Sequence, residues 1–193
     1  MRGWAAVAEL SMVHEPAVAR GGRRAVSAVA GIGVVLVVFV VTAVIASGTA
    51  PRLLVESYTV TNIMIGISLL GSGCLIAWFR PSNAVGWLFL VCGSGHLISA
   101  TVAVLLLLGT DEGWSTLVTR ALTTIFHVGW IVGIRGLFLL ALLLFPTGRL
   151  PSHRWMPVAV AIVITTGYNV IAAALSPESL LGSAATVSVF SSG

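Results

Sequence analysis

The chain has 193 residues, of which 58% are hydrophobic and only 8% charged, whereas soluble domains carry about a quarter charged residues. At a mean hydropathy of +1.07 there is too little polar surface to cover a water-facing fold, so the exterior is expected to face lipid. The net charge is +4, but the ten basic residues are all arginine and, Arg135 apart, sit at or beyond the ends of apolar runs. That placement reads as a topology signal and excludes a nucleic-acid-binding face.

Residues 1–24 read as a cytoplasmic N-terminal segment without structure of its own. The first apolar run, 25–47, "AVSAVAGIGVVLVVFVVTAVIAS", exceeds the h-region of a signal peptide, and its one small-residue cleavage candidate, "GTA", is followed directly by Pro51. It is therefore expected to stay as a membrane helix. A second span follows at 59–79. The stretch "RPSN" then makes a tight turn, with Pro81 suited to its second position and Asn83 closing it. Gly86 and Trp87 open the third span, 85–108. The fourth span, 121–145, ends on "FPTGRLPSHRW". Pro146 stops the helix, Gly148 permits the turn, and Pro151 keeps the chain from helix. Arg149 and Arg154 suit anionic headgroups, and Trp155 suits the interface. The fifth span is 156–175, and 176–193 is left as an extracytoplasmic tail.

Arginine placement sets the expected orientation. With the N-terminus inside, the inner segments hold Arg2, Arg20, Arg23, Arg24, Arg80, Arg149 and Arg154, and the outer loops hold only Arg52 and Arg120. The expectation is an all-α, five-helix bundle in the cell membrane, N-terminus inside and C-terminus outside.

Two stretches carry a family resemblance: "FRPSNAVGWLFLVCG" at 79–93 and, one span later, "LLLFPTGRLPSHRWMPV". Together they resemble the N-terminal multi-span membrane sensor region of sensor histidine kinases from high-GC Gram-positive bacteria, over roughly 60–170. This chain has Ala84 where the family often has proline, and Thr147 where it often has aspartate. The resemblance implies a signal-input module of a two-component system. The family's phospho-accepting histidine and ATP-binding core have no counterpart in these 193 residues, so the chain itself is not expected to be an enzyme or to carry a cofactor. The partners implied are the lipid bilayer and a second copy or a separately encoded signalling protein, not nucleic acid. Stand-alone membrane protein and transporter component are the rival readings. The second is weakened by the lack of carboxylates in the spans and of a repeat between halves.

Ionisable residues within the spans are the candidates for function, because each costs roughly 2.5–3.5 kcal/mol at the bilayer centre. Arg135 lies about 15 Å from the end of span four and His96 about 15 Å along span three. Thr165 and Asn169 reach a similar depth on one face of span five. A polar layer of Arg135, His96, Thr165 and Asn169 is expected. The alternatives are a partner helix for Arg135 or a lipid-facing position. Gly129 and Gly133 form a small-xxx-small pair that admits a close helix. Cys74, Cys92 and His96 have depths compatible with a metal, but buried thiols in spans are more often packing residues, and no metal is assigned.

Overall fold

The computed structural model describes residues 3–111 and 113–175, with side chains for 21–109 and 113–175. Among these residues there is helix and turn but no strand. Five helical stretches are long and apolar enough to cross a membrane: Gly21–Ser47, Thr59–Phe79, Ala84–Gly109, Thr116–Leu144 and His153–Leu175. Over the described residues the chain is all-helical, with the makeup of a multi-pass membrane protein. In a bilayer every backbone N–H and C=O must be satisfied internally, so the Val- and Ile-rich runs are helical despite their β-branching.

The helices are α1 (Gly3–Ser47), a short surface helix α2 (Pro51–Glu56), α3 (Thr59–Phe79), α4 (Ala84–Asp111), α5 (Thr116–Trp130), a π-helical segment (Ile131–Phe138), α6 (Leu139–Leu144) and α7 (Met156–Leu175). α5, the π segment and α6 form one continuous fourth span. On α2, outside the spans, Arg52 Nε donates to Glu56 at 2.7 Å, and that hydrogen bond raises the arginine's already high pKa.

Two boundaries differ from expectation. Residues from Gly3 onward continue α1 where an unstructured segment was expected. An existing span supplies the helix nucleus, so extension costs little. The fourth span starts at Thr116, five residues earlier than 121, because the polar residues that delayed the sequence reading face outward or bond their own backbone. Thr119, Thr123 and Thr124 all donate to carbonyls four residues back. The tail 176–193 lies outside the described residues.

The centre of the bundle is α4, where Leu90, Cys92, His96, Leu97, Ser99, Ala100 and Val104 are all at most 1% exposed. α3 and α4 meet along an antiparallel seam in which glycine faces leucine. The buried face of α3 runs Thr59, Asn62, Gly66, Leu70, Gly73, Ala77, a spacing of three and four that keeps one stripe on one side. Opposite it on α4 lie Gly86, Leu90, Gly93 and Leu97. A Cβ on Gly66 would fall 2.7 Å from Leu97, one on Gly73 2.6 Å from the Leu90 backbone, and one on Gly93 2.5 Å from the Leu70 backbone. Only hydrogen fits at these points. Lipid offers no hydrophobic gain for helix association, so this close approach supplies the dispersion contacts that hold the pair.

The other helices dock on this pair. α1 lies across it, with Gly33 over Leu70 and Leu97 and Val26, Val29, Leu36 and Val37 in the same cluster. α5 crosses α4 where Gly129 meets Gly95 and Ser99, and the Ser99 hydroxyl donates to the Phe126 carbonyl at 3.1 Å. α7 is peripheral, with no buried residue.

Candidate functional site

At the end of the bundle that carries Arg23, Arg24, Arg80, Arg149 and Arg154, three segments are fastened together. The 80–83 turn closes through Asn83 N to Arg80 O at 2.9 Å, with Pro81 at its second position. Asn83 is buried and works at both ends of its amide. Its Oδ1 accepts from Val85 N at 2.9 Å, capping α4, and its Nδ2 donates to Pro146 O, 63 residues away, at 3.0 Å. The second turn fits because Gly148 adopts φ +76°, and a Cβ there would lie 2.5 Å from Asn83 Oδ1. Gly148 N returns to Leu144 O at 2.8 Å.

Trp87 braces the first turn by donating its indole N–H to Pro81 O at 2.8 Å, and Gly86 lets α4 come against Ala77. α1 joins through Gly22, which abuts Pro81, and through Arg23, whose guanidinium sits 5.6 Å from the Trp78 ring centre. Arg80, Arg149, Pro151, Arg154 and Trp155 are exposed at the same end, with Trp155 in a 3₁₀ turn leading into α7. A cavity of about 310 Å³ opens beside the clamp, lined by Leu75, Phe79, Arg80, Asn83, Phe145 and Pro146 among others.

Mid-bundle, His96 is wholly buried, and its Nδ1 lies 2.8 Å from Asn62 Oδ1. The Asn62 amide is oriented by its own Nδ2, which donates to Tyr58 O at 2.9 Å. Oδ1 must therefore accept, so Nδ1 of the neutral ring carries the proton and Nε2 holds a bare lone pair. That Nε2 has no hydrogen-bond partner. It is aimed at Gly133, where an added Cβ would come within 3.0 Å of it and 3.5 Å of Cys92 Sγ. Leaving such a group unpaired costs about 1–3 kcal/mol. Ser57, Thr59, Ser99 and Thr123 complete the buried polar set towards the opposite end, each using a hydroxyl locally or on Phe126 O.

The four residues expected in one polar layer divide. Arg135 and α7 do share a depth, since the Thr166 hydroxyl reaches Arg135 O at 3.4 Å and Gly136 lies against Thr166. However, Arg135 is exposed, with its guanidinium 5.5 Å from the Trp130 ring centre. Thr165 is also exposed, and Asn169 Nδ2 donates back to Thr165 O at 2.7 Å. His96 has Asn62 in place of the expected layer.

The π segment brings Arg135 beside Trp130. In an α-helix, residues five apart diverge by about 140° around the axis. A π-helix, with its i→i+5 bonds, brings them near one face, and so Arg135 stands over Trp130. The cation–π contact returns about 0.5–2 kcal/mol of the roughly 2.5–3.5 kcal/mol that a mid-membrane arginine costs. Phe138 of the same segment stacks on Phe89 at 6.2 Å.

Gly129 and Gly133, the expected packing pair, are spent inside the bundle, on Gly95 with Ser99 and on His96 respectively. Cys92 is buried near His96, while Cys74 lines a groove between α1 and α3 with Gly33 and Leu97. Among the described residues no three His, Cys, Asp or Glu side chains are grouped to hold a metal. His127 bonds Thr123 O through Nδ1 at 2.9 Å.

Sequence reading missed Asn62 and the α3–α4 glycine seam. The available signal was the three-and-four spacing of Asn62, Gly66, Leu70, Gly73 and Ala77. Comparison with protein-family models, curated proteins and solved structures gave no match to this chain.

Proposed function

We propose that this membrane protein is the signal-input module of a two-component system, with the histidine kinase core carried outside these 193 residues. It sits in the cell membrane with the arginine-rich end in the cytoplasm and the C-terminal end of α7 outside. The observation that carries the reading is the Asn83 clamp. The two turns that resemble the sensor family, 63 residues apart in sequence, are bonded to each other at the end where a cytoplasmic kinase would be engaged. The clamp ties the α3–α4 hairpin to the α6–α7 hairpin, so a change of packing among the spans reaches one compact cytoplasmic surface. The arginines at that end follow the positive-inside bias.

Two measurements test it. In intact cells, cysteines introduced as S82C and T147C in a C74A/C92A background should resist an impermeant thiol reagent, and G113C should react. The opposite pattern overturns the orientation. In the native host, deletion of the gene should change the phosphorylation of a response regulator, and Asn83→Ala should reproduce part of that change. Unaltered phosphorylation in both strains refutes a signalling role.

A further inference from the structure

Trp130, Arg135, Leu139 and Leu142 are all exposed along one face of the fourth span. Arg135 lies nine residues before Leu144, the last residue of α6, which places its Cα about 13–14 Å from that end. Helical side chains lean towards the helix N-terminus, and the contact with Trp130 shows that this one does so, away from the nearer headgroups. Its guanidinium thus sits near the middle of a hydrocarbon core about 30 Å thick. Among the described residues it has no carboxylate and no hydrogen-bond acceptor; the one salt bridge there is Arg52–Glu56. The π segment holds the charge on the outside of the bundle when a regular helix would turn it off the Trp130 face.

We infer that this face docks a transmembrane helix of another polypeptide that carries a carboxylate near the middle of its span. A second copy of the five described spans does not meet the requirement, because none of them contains Asp or Glu. An anionic headgroup does not meet it either, because the guanidinium is directed away from the closer interface. A guanidinium offers five donors in a planar fork that a carboxylate matches, and inside lipid such a pair forms without competing water. Trp130 and the two leucines supply apolar contact on either side of it. The inference rests on the membrane assignment and is independent of the signalling reading.

The test uses the full chain, fluorescently labelled and reconstituted in phosphatidylcholine vesicles with acceptor-labelled leucine–alanine transmembrane peptides bearing a central Glu, Gln or Leu. Energy transfer should show the Glu peptide binding about tenfold more tightly than the Leu peptide, with the Gln peptide well below Glu. Arg135→Leu should erase the preference, and Arg135→Lys should retain only part of it. Unchanged thermal unfolding of both variants verifies that the bundle is intact. Equal binding of the Glu and Leu peptides overturns the inference, as does a Glu preference that survives Arg135→Leu. Arg135-dependent self-association without peptide would assign the face to a second copy. Loss of the Glu preference on adding phosphatidylglycerol would assign it to anionic lipid. Either of these outcomes also overturns it.

Discussion

Replacing Gly93 with alanine puts a methyl group where α3 and α4 are closest. The new Cβ would lie 2.5 Å from Leu70 N, 2.8 Å from Gly66 O and 2.9 Å from Leu70 Cα, all of them backbone atoms that no rotamer change can move aside. Ordinary contact begins at 3.4 Å, so going from 2.5 to 3.4 Å makes α3 withdraw by about 0.9 Å at that point. A gap of that size forfeits roughly a quarter to a half of each dispersion contact across it. Overpacking of this kind costs about 1–3 kcal/mol, and the better helix propensity of alanine returns at most about 1 kcal/mol. At about 2–4 °C per kcal/mol for a chain of this size, a net loss of about 1–2 kcal/mol should lower the melting temperature by about 2–8 °C.

In a Cys74→Ala background Cys92, with no exposed surface, makes a built-in reporter. A maleimide dye that fluoresces on reaction should register its release on heating in detergent. Gly31→Ala and Gly71→Ala, whose added Cβ would meet nothing within 4 Å, should leave the midpoint unchanged or slightly raised. Combining Gly73→Ala with Gly93→Ala should cost less than the sum of the two, because the first methyl has already parted the helices for the second. If Gly93→Ala melts at or above the parent, or if Gly71→Ala falls as far, then close backbone approach is not what holds α3 to α4.

Asn83→Ala should destabilise by about 1–3 kcal/mol by leaving both the Val85 N–H and the Pro146 carbonyl unpaired, visible as a lower melting point and faster proteolysis at the 146–152 turn. Gly148→Ala should cost at least about 1–2 kcal/mol from the left-handed backbone alone, with the contact on Asn83 added, and the same melt would measure it. Asn62→Leu should be destabilising because it strips His96 Nδ1 of its acceptor, whereas Asn62→Leu combined with His96→Leu should recover most of the loss. A double-mutant cycle that shows no recovery would rule out the pairing as the source of the cost.

Counting along the chain located the spans well, because a run of apolar residues ended by "RPSN" or "FPTGR" has few other meanings in a bilayer. It also placed Arg135 at the level of α7, where Thr166 meets its carbonyl. It did not give the angle of each residue about its helix axis. Asn62 and His96 could be paired only once the glycine stripe had fixed how α3 and α4 face each other. Arg135 faces outward from a π segment for which "IVGIRGLF" carries no signature. Depth follows from a fixed rise per residue; azimuth depends on packing that one sequence does not spell out.

The peripheral position of α7 has a mechanical corollary. Midway along the helix, the bifurcated Thr166 hydroxyl is shared between Ile162 O at 2.7 Å and, across to the fourth span, Arg135 O at 3.4 Å. A rod secured at its midpoint tips like a seesaw. Force applied near Leu175 would swing the Met156 end the opposite way, carrying the 153–155 turn sideways across the arginine-rich end while the glycine seam stays shut.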